Sequence, residues 1–268
     1  YSTLKIFDIR DDTFSFRPIG QIREFCRRYK KDVGLRMKCL GDPRTIDEEK
    51  IRLLIDAGCT DIIVGIQGSE RVNLEIYRRP QRDADVVKAA KILNKFRKRL
   101  AVMYDVITSN PYETSQDVLN LINLLDRLPP PFYLSVNNLV FFPGSELYCR
   151  ALNEGMIKNS KEAAIELNYW DRWKHISLKK KNMYLNLIIN LMRGSVSKSR
   201  FGLMPRFLLR FLINPSVVRF NERNRIPTYV IGNIVGLWDV IREKAVKPVY
   251  RSLPLDFKVW YDKIRYKV

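Results

Sequence analysis

Several residues on which common active sites depend are rare in this 268-residue sequence. The only histidine, His175, lies in a segment dense in Trp and Lys, so we expect it to be structural or exposed rather than catalytic. Because the only histidine lies beyond the predicted strands, no Ser–His–Asp set can be assembled among them. The four cysteines, Cys26, Cys39, Cys59 and Cys149, include no C-x-x-C pair, which indicates neither a zinc site nor a disulfide framework.

Long apolar runs are also missing. The longest candidate, residues 226–238, is shorter than the roughly 18 uncharged residues that a spanning helix needs. No signal peptide is visible, and scattered cysteines are typical of reduced thiols, so we expect a cytoplasmic protein. The sequence begins at Tyr1 without a methionine, and residues 4–9 already predict a strand. We therefore expect a piece of a longer protein.

Acidic residues are scarce, with 29 Asp and Glu against 48 Lys and Arg and a net charge of +19. Residues 151–268 hold 23 of the basic residues against 9 acidic ones. This excess predicts either an anionic partner for the C-terminal part or a solvated basic face. A nucleic acid, a membrane surface and a phosphorylated substrate all fit the first interpretation.

What the sequence does contain is an alternation of predicted strands and helices, with enough apolar residues (46%) for a sizeable core. The strand patterns lie at residues 4–9, 34–40, 60–66, 100–108 and 132–141. Helical patterns lie at residues 19–29, 48–57, 70–77, 83–98, 114–128 and 144–152. Such alternation predicts a parallel sheet, either barrel-like or doubly wound. Beyond residue 153 only helices are predicted, at residues 170–192, 204–212 and 230–245.

Polar groups or glycines follow every predicted strand. Because the carboxyl ends of parallel strands meet at one edge of a sheet, they predict a ligand site there. Each residue alone also has a structural explanation as a cap, a turn or a buried pair. The residues of interest are Asp11, Asp12, Arg44, Gln67, Ser69, Glu70, Asp105, Asn110, Pro111, Glu113, Asn137, Asn138, Phe142, Pro143 and Gly144.

The order of the longer motifs resembles the radical S-adenosylmethionine superfamily, in particular its branch with a cobalamin-binding domain. The resemblance covers roughly residues 1–153. It is carried by F-D-I-R-D-D-T-F at 7–14, R-T-I-D-E-E-K-I-R-L-L-I-D-A-G-C at 44–59, V-G-I-Q-G-S-E-R at 64–71 with Y-R-R at 77–79, Y-D-V-I-T-S-N-P-Y-E-T at 104–114 and F-F-P-G-S-E-L-Y at 141–148. Family members usually read Q-S-G-S-E where this chain reads Q-G-S-E.

The resemblance implies an α/β fold, a partial (β/α) TIM-like barrel, here with five of its six parallel strands (residues 1–153). A basic helical region (residues 154–268) follows. It implies an enzyme that cleaves S-adenosylmethionine at an iron–sulfur cluster to drive radical methylation, cyclisation or rearrangement of a small or lipid-like substrate. The family's C-x-x-x-C-x-x-C cluster loop is absent, so we expect the cluster ligands and any cobalamin domain outside this chain, which alone would be inactive. A reductant protein such as flavodoxin or ferredoxin is the implied partner.

Transferred residue by residue, the resemblance implies one S-adenosylmethionine pocket. Asp11 or Asp12 would approach its amino or ribose end, and Arg79 its carboxylate. Gln67, Ser69 and Glu70 would line the third-strand edge. The adenosine side would be shaped by Asn110, Pro111 and Glu113, and the adenine side by Phe142, Pro143 and Gly144.

Two alternatives stay open. The first is a non-catalytic binding or scaffold protein built on a barrel without its cluster. The second concerns residues 201–220, where Arg206, Arg210 and Arg219 interleave with Phe and Leu. That segment predicts a peripheral membrane contact or a helix packed on the barrel. RNA binding is the weaker option, because no recognised RNA-binding module is visible.

Overall fold

The computed structural model describes residues 4, 6–11, 13–157, 182–192, 205–228 and 230–232. Its centre is a parallel five-stranded sheet of β1 (Ile6–Asp8), β2 (Arg36–Gly41), β3 (Cys59–Gln67), β4 (Ala101–Thr108) and β5 (Tyr133–Asn138). The strands lie side by side in chain order. A doubly wound sheet would reverse its order at a switch point. The unreversed order confirms the predicted alternative, a curled half-barrel.

An α-helix of the outer layer follows each strand. These helices are α1 (Ile19–Asp32), α2 (Glu48–Asp56), α3 (Asp83–Lys95), α4 (Ser115–Arg127) and α5 (Glu146–Asn153). Local sequence explains two of their starts. Asp47 accepts hydrogen bonds from the backbone N–H groups of Glu49 and Lys50, and Thr114 accepts one from that of Asp117. Such caps satisfy donors that a helix leaves unpaired in its first turn.

The two faces of the sheet differ in burial. In β4, Val102, Tyr104 and Val106 are buried, whereas the residues between them are half-buried. Side chains alternate between faces along a strand, so the buried set packs against the helices and the other set lines the concave face. Tyr104 packs edge-to-face on Phe132, with ring centroids 5.1 Å apart.

Some predicted elements differ from the observed ones. The helix expected at residues 70–77 is a single π-helical turn, Val72–Ile76. The fifth strand ends at Asn138, because Leu139 and Phe141 leave the sheet and pack under α5. The sequence patterns did not indicate the helix Pro215–Arg223. His175 and most of the helices predicted at residues 170–192 and 230–245 lie outside the described residues.

Three C-terminal helices are α6 (Met183–Met192), α7 (Arg206–Leu212) and α8 (Pro215–Arg223). Their buried residues Leu185, Ile188, Leu209 and Val218 belong to the same apolar core as the sheet and α1–α4. The boundary at residue 153 stays a prediction, with side chains from both sides of it in one core. Within the described ranges, no helix combines the length and apolar content needed to cross a membrane.

Candidate functional site

Strand register brings the predicted polar groups to one edge. Gly41 of β2 lies beside Val64 of β3, and Gly65 of β3 beside Asp105 of β4. Thr108 at the end of β4 lies beside Asn138 at the end of β5. The residues that follow these strands therefore share the carboxyl edge of the half-barrel, where such folds hold their ligands.

A carboxylate between two guanidinium groups lies at the ends of β2 and β3. Asp42, only 4% exposed, accepts hydrogen bonds from Arg44 through Nε at 2.8 Å and Nη2 at 2.9 Å. Arg79 donates to the same carboxylate through Nη2 at 3.1 Å. Burial alone would raise the pKa of Asp42, but hydrogen bonds from Arg44 and the charge of Arg79 hold it below its ordinary value. One ionised carboxylate between two cations leaves a net charge of +1.

Arg79 has hydrogen-bonding capacity to spare. About a third of its side chain is exposed, and its buried Nε has no hydrogen-bond partner in the described part of the chain. Asp42 therefore orients the guanidinium without using all of its donors. A guanidinium held in this way suits a carboxylate ligand, the group for which Arg79 was predicted.

The end of β3 brings Gln67 against Gly65. The register shifts between these two residues, and Gln67 takes a left-handed conformation with φ of 64°. A Cβ at Gly65 would lie 2.5 Å from Nε2 of Gln67 and 3.7 Å from Nη2 of Arg79. Gly65 thus permits the amide of Gln67 to fold back beside Arg79. The two predicted side chains, Gln67 and Arg79, are brought together here.

Buried amides hold this turn in place. The carbonyl oxygen of Ile66 accepts hydrogen bonds from Nδ2 of Asn73 at 3.0 Å, Nε2 of Gln81 at 2.9 Å and the backbone N–H of Gly68 at 2.9 Å. Asn73 and Gln81 are 2% and 0% exposed. Sequence reasoning missed both, since an amide in a loop gives no sign of burial.

Ser69 and Glu70, the other residues predicted at this edge, have different surroundings. Ser69 is 2% exposed, and its hydroxyl has no hydrogen-bond partner among the described residues. Oε2 of Glu70 accepts a hydrogen bond of 2.8 Å from the backbone N–H of Asp83, at the start of α3. Glu70 therefore caps a helix, as Asp and Glu do near helix N-termini. Contacts of either residue with a ligand stay predictions.

The predicted residues after β4 form a buried turn. Oδ1 of Asn110 accepts a hydrogen bond from the backbone N–H of Tyr112 at 2.9 Å, and Nδ2 donates to the hydroxyl of Tyr77 at 3.0 Å. Glu113 is 2% exposed, and its backbone carbonyl accepts a hydrogen bond from Asn182 at 3.1 Å. The side chain of Asn110 thus shapes the turn, with Pro111 inside it. Removal from water, helped by the charge of Glu113, raises the pKa of Tyr77.

The segment after β5 borders the same edge but faces solvent. Phe142, Pro143 and Gly144 are all exposed, and Gly144 has φ of 86°. Phe141 is buried beneath them, in a small apolar cluster against which Tyr77 packs. The predicted adenine-side residues therefore directly follow a buried anchor, and Phe142 itself is 57% exposed.

At the end of β1, Asp11 forms an ion pair with Arg17, which follows a short 3₁₀ turn. This pair keeps Asp11 next to its own loop. Asp12, the other acidic residue predicted there, lies outside the described residues. Ligand contacts of Asp11 and Asp12 stay predictions.

The concave face adds a carboxylate inside the half-barrel. Asp105 on β4 lies beside Ser135 on β5. Burial raises the pKa of Asp105, although a hydrogen bond from Ser135 and the charges of Lys38 and Arg10 oppose the shift. Asp105 lies directly beside Gly65 on the neighbouring strand. This titratable group is therefore near the cationic site at the edge.

Three of the four cysteines, Cys26, Cys39 and Cys59, lie in the buried core. Cys39 and Cys59 are buried on β2 and β3, with their sulfur atoms 3.6 Å apart. Burial raises the pKa of the Cys26 thiol, on α1, to about 11, and the Cys59 thiol is also shifted upward, first by its contact with Cys39 and then by burial. Thiolates hold iron–sulfur clusters, so these thiols are poorly suited. No three His, Cys, Asp or Glu side chains are grouped for a metal in the described ranges.

No protein-family model and no curated protein matches the chain. Among solved structures it is similar to the radical S-adenosylmethionine methyltransferase TsrM from Kitasatospora setae, with cobalamin and a 4Fe-4S cluster bound, at 21% identity and a TM-score of 0.45, over 56% of this chain and 28% of that chain. Elp3 from Methanocaldococcus infernus matches at 17% identity and a TM-score of 0.45, over 56% and 40%. HemN from Escherichia coli is a coproporphyrinogen III oxidase described as a radical SAM enzyme. It matches at 18% identity and a TM-score of 0.41, over 49% of this chain and 31% of that chain.

This chain thus spans well under half the length of each of these structures. TsrM and HemN are radical S-adenosylmethionine enzymes, the superfamily that the strand-end motifs resemble. At such identities and TM-scores the likeness carries no argument about chemistry.

Proposed function

We propose that this chain is the S-adenosylmethionine-binding core of a radical S-adenosylmethionine enzyme. In its complete form the enzyme would carry out radical methylation, cyclisation or rearrangement of a small or lipid-like substrate. The observation that carries the proposal is Arg79, held by Asp42 beside Gly65 with a buried Nε to spare. The ordered motifs on five successive strand ends support it.

The described residues fit S-adenosylmethionine. Arg79 binds the carboxylate of its methionine part, and Asp42 keeps the guanidinium oriented and limits the site to a charge of +1. The amide of Gln67 offers a donor and an acceptor to the ribose hydroxyls. Phe142 is exposed beside the edge and offers an aromatic face to adenine.

The same residues do not fit an iron–sulfur cluster. Three of the cysteines are buried between the sheet and the helices, and Cys149 is on α5. We therefore assign no step of the reaction to residues of this chain acting through a cluster. Cluster ligands, a cobalamin domain and contact with a flavodoxin- or ferredoxin-like reductant belong in this proposal to the complete enzyme.

Calorimetric titration of the chain tests the proposal. S-adenosylmethionine is expected to bind saturably, and Arg79→Ala to weaken binding by tenfold or more, since it removes about 1.5–3 kcal/mol of charged hydrogen bonding. Decarboxylated S-adenosylmethionine is expected to bind wild type and Arg79→Ala alike. Arg82→Ala, an exposed arginine three residues away, is the matched control.

The results distinguish a wrong assignment of Arg79 from a failure of S-adenosylmethionine to bind at all. Equal losses for both ligands on Arg79→Ala would show that Arg79 does not bind the carboxylate. No binding of either ligand to folded wild type would remove the proposal. Anaerobic reconstitution with iron and sulfide is expected to leave the chain without a stable cluster, measured by iron analysis.

The absence of a cluster-binding set among the described residues favours a second candidate, a non-catalytic binding or scaffold protein. The two candidate functions predict different behaviour of the full-length protein. Formation of 5′-deoxyadenosine by the anaerobically reconstituted full-length protein supports the enzyme. A folded full-length protein that binds S-adenosylmethionine but takes up no iron supports the binding protein.

A further inference from the structure

Two short C-terminal helices expose large apolar side chains. Phe207 and Phe211 on α7 are 76% and 62% exposed, and Phe220 on α8 is 58% exposed. Together with Arg210 and Arg219 they form what we call the α7/α8 outer surface. Scattered single apolar residues are normal on proteins, whereas several close together in one segment mark an interaction site.

Helix geometry explains why these rings point outward. Leu209 on α7 and Val218 on α8 are 3% and 6% exposed and belong to the main core. Successive residues of an α-helix are about 100° apart, so a residue two positions away lies on the opposite side. Phe207 and Phe211 flank Leu209 in this way, and Phe220 follows Val218. Since α7 and α8 pack against each other, both turn their phenylalanines away from the same core.

The apolar exposure continues after α8. Ile226 is 79% exposed, and Val230 and Ile231 are 52% and 43% exposed. Aliphatic side chains neither stack on nucleotide bases nor donate hydrogen bonds, which are the contacts that single-stranded RNA requires. They do insert favourably among lipid acyl chains.

The charges around the surface are of one sign. Residues 205–232 contain five arginines and one acidic residue, Glu222. Oε1 of Glu222 accepts a hydrogen bond of 3.0 Å from Ser115 at the start of α4, so its carboxylate is turned toward the barrel. Arg206 is paired with Asp126 at 3.1 Å.

The charges of the other four arginines are available to a partner. Arg210, Arg219, Arg223 and Arg225 have no ion-pair partner among the residues that the structure describes, and all four are exposed. A surface that combines exposed Phe and Ile with unpaired Arg is complementary to an anionic bilayer, because lipid headgroups meet the guanidinium groups while acyl chains receive the rings.

We propose that the α7/α8 outer surface docks peripherally on an anionic lipid membrane, with Phe207, Phe211 and Phe220 in the acyl region and Arg210 and Arg219 at the phosphates. The surface is distant in sequence from the strand-end residues. The proposal therefore stands or falls independently of S-adenosylmethionine binding.

Vesicle flotation of the full 268-residue chain tests it. The chain is expected to float with vesicles of phosphatidylcholine containing phosphatidylglycerol, and far less with phosphatidylcholine alone. The double variant Phe207→Glu/Phe211→Glu is expected to reduce the bound fraction about tenfold or more, since two rings that would insert into the bilayer are lost. Arg210→Glu/Arg219→Glu is expected to abolish the preference for the anionic vesicles.

Phe16→Glu is the matched control, since Phe16 is 73% exposed on the 3₁₀ turn near β1 and is expected to leave flotation unchanged. Circular dichroism of each variant confirms folding. Equal loss on Phe16→Glu, or no flotation of folded wild type, would overturn the proposal. So would retention of single-stranded RNA or self-association through Phe207 and Phe211 without any vesicle binding.

Discussion

Arg71 donates two hydrogen bonds to the buried carboxylate of Asp117, 46 residues later in the chain, from Nε at 2.8 Å and from Nη2 at 2.5 Å. Nη2 of Arg71 also donates to the backbone carbonyl of Tyr112 at 3.3 Å. This pair joins the turn after β3 to the start of α4 and to the loop after β4. It fixes the two central loops of the candidate site relative to each other.

The ion pair predicts a stability that falls in acid. Burial would raise the pKa of Asp117, but the hydrogen bonds from Arg71 and Thr114 outweigh it and lower the pKa to about 2. Because the folded pKa lies below the unfolded one, the carboxylate stabilises the fold fully above about pH 4 and loses this contribution as the pH falls toward 2. Asp117→Asn is expected to cost about 2 kcal/mol at pH 7 and progressively less in acid.

Urea unfolding of wild type and Asp117→Asn between pH 2 and 7 measures this difference. Asp56→Asn is the control, since Asp56 pairs with Arg99 on an exposed surface and is expected to change stability by less than about 1 kcal/mol. A pH-independent difference between wild type and Asp117→Asn would contradict the assignment.

Gly58 lies where an added side chain would meet the backbone of a neighbouring segment. Its φ is 113°, and an added Cβ would lie 2.8 Å from the backbone carbonyl oxygen of Leu35. Gly58→Ala is therefore expected to destabilise the fold by about 2 kcal/mol or more, because the backbone cannot move aside cheaply. Gly20→Ala, in α1 with nothing near its Cβ position, is expected to be neutral or stabilising by up to about 1 kcal/mol. Thermal unfolding of the pair checks the contrast; equal stabilities would refute it.

Asn73 predicts a coupling between stability and ligand binding. Its Nδ2 donates to the carbonyl oxygens of Ile66 and Gly68, both at 3.0 Å. Asn73→Ala is expected to cost about 1–3 kcal/mol and to weaken S-adenosylmethionine binding, since the turn that carries Gln67 loses its support. Asn120→Ala, on the exposed side of α4, is expected to change neither quantity. If Asn73→Ala is destabilised but binds S-adenosylmethionine as tightly as wild type, the turn does not support the binding site.

Asp105 predicts the opposite pH dependence from Asp117. Its pKa is raised, mainly by burial, so the folded state prefers the protonated form. The ionised carboxylate then disfavours folding as the pH rises above its unfolded pKa, and this cost persists at neutral pH. Asp105→Asn is expected to be more stable than wild type at pH 7 and to lose that advantage in acid. Denaturant unfolding at pH 3 and pH 7 measures both values, and a variant less stable at pH 7 would contradict the prediction.

Much of the fold follows from local patterns. The alternation of apolar runs and amphipathic segments located all five strands and the α-helix that follows each of them, because side-chain period is a local property. The helix predicted at residues 70–77 is instead the π-helical turn Val72–Ile76, because the residue pattern of so short a segment does not distinguish a π-helical turn from an α-helix.

The candidate site was predicted in part. Gln67 and Arg79 were chosen from their motifs, and they meet beside Gly65. Asp42, which orients Arg79, was not among the predicted site residues, since nothing in Gly41–Asp42–Pro43 reveals a partner 37 residues away. Glu70 was predicted to line the pocket, whereas its observed hydrogen bond is to the start of α3. The ligand contacts themselves stay predictions.

The sequence by itself determined the parallel strand order to within two topologies, the carboxyl edge as the place for a site, and the basic, aromatic C-terminal segment. These are consequences of periodicity, connection length and composition, which neighbouring residues carry. Only the tertiary structure decided that the strands lie in unreversed order, that Asp42 and Arg79 meet, and that Phe207, Phe211 and Phe220 face outward. Those facts depend on which distant surfaces pack together, and burial and ion pairing across the chain exist only once they do.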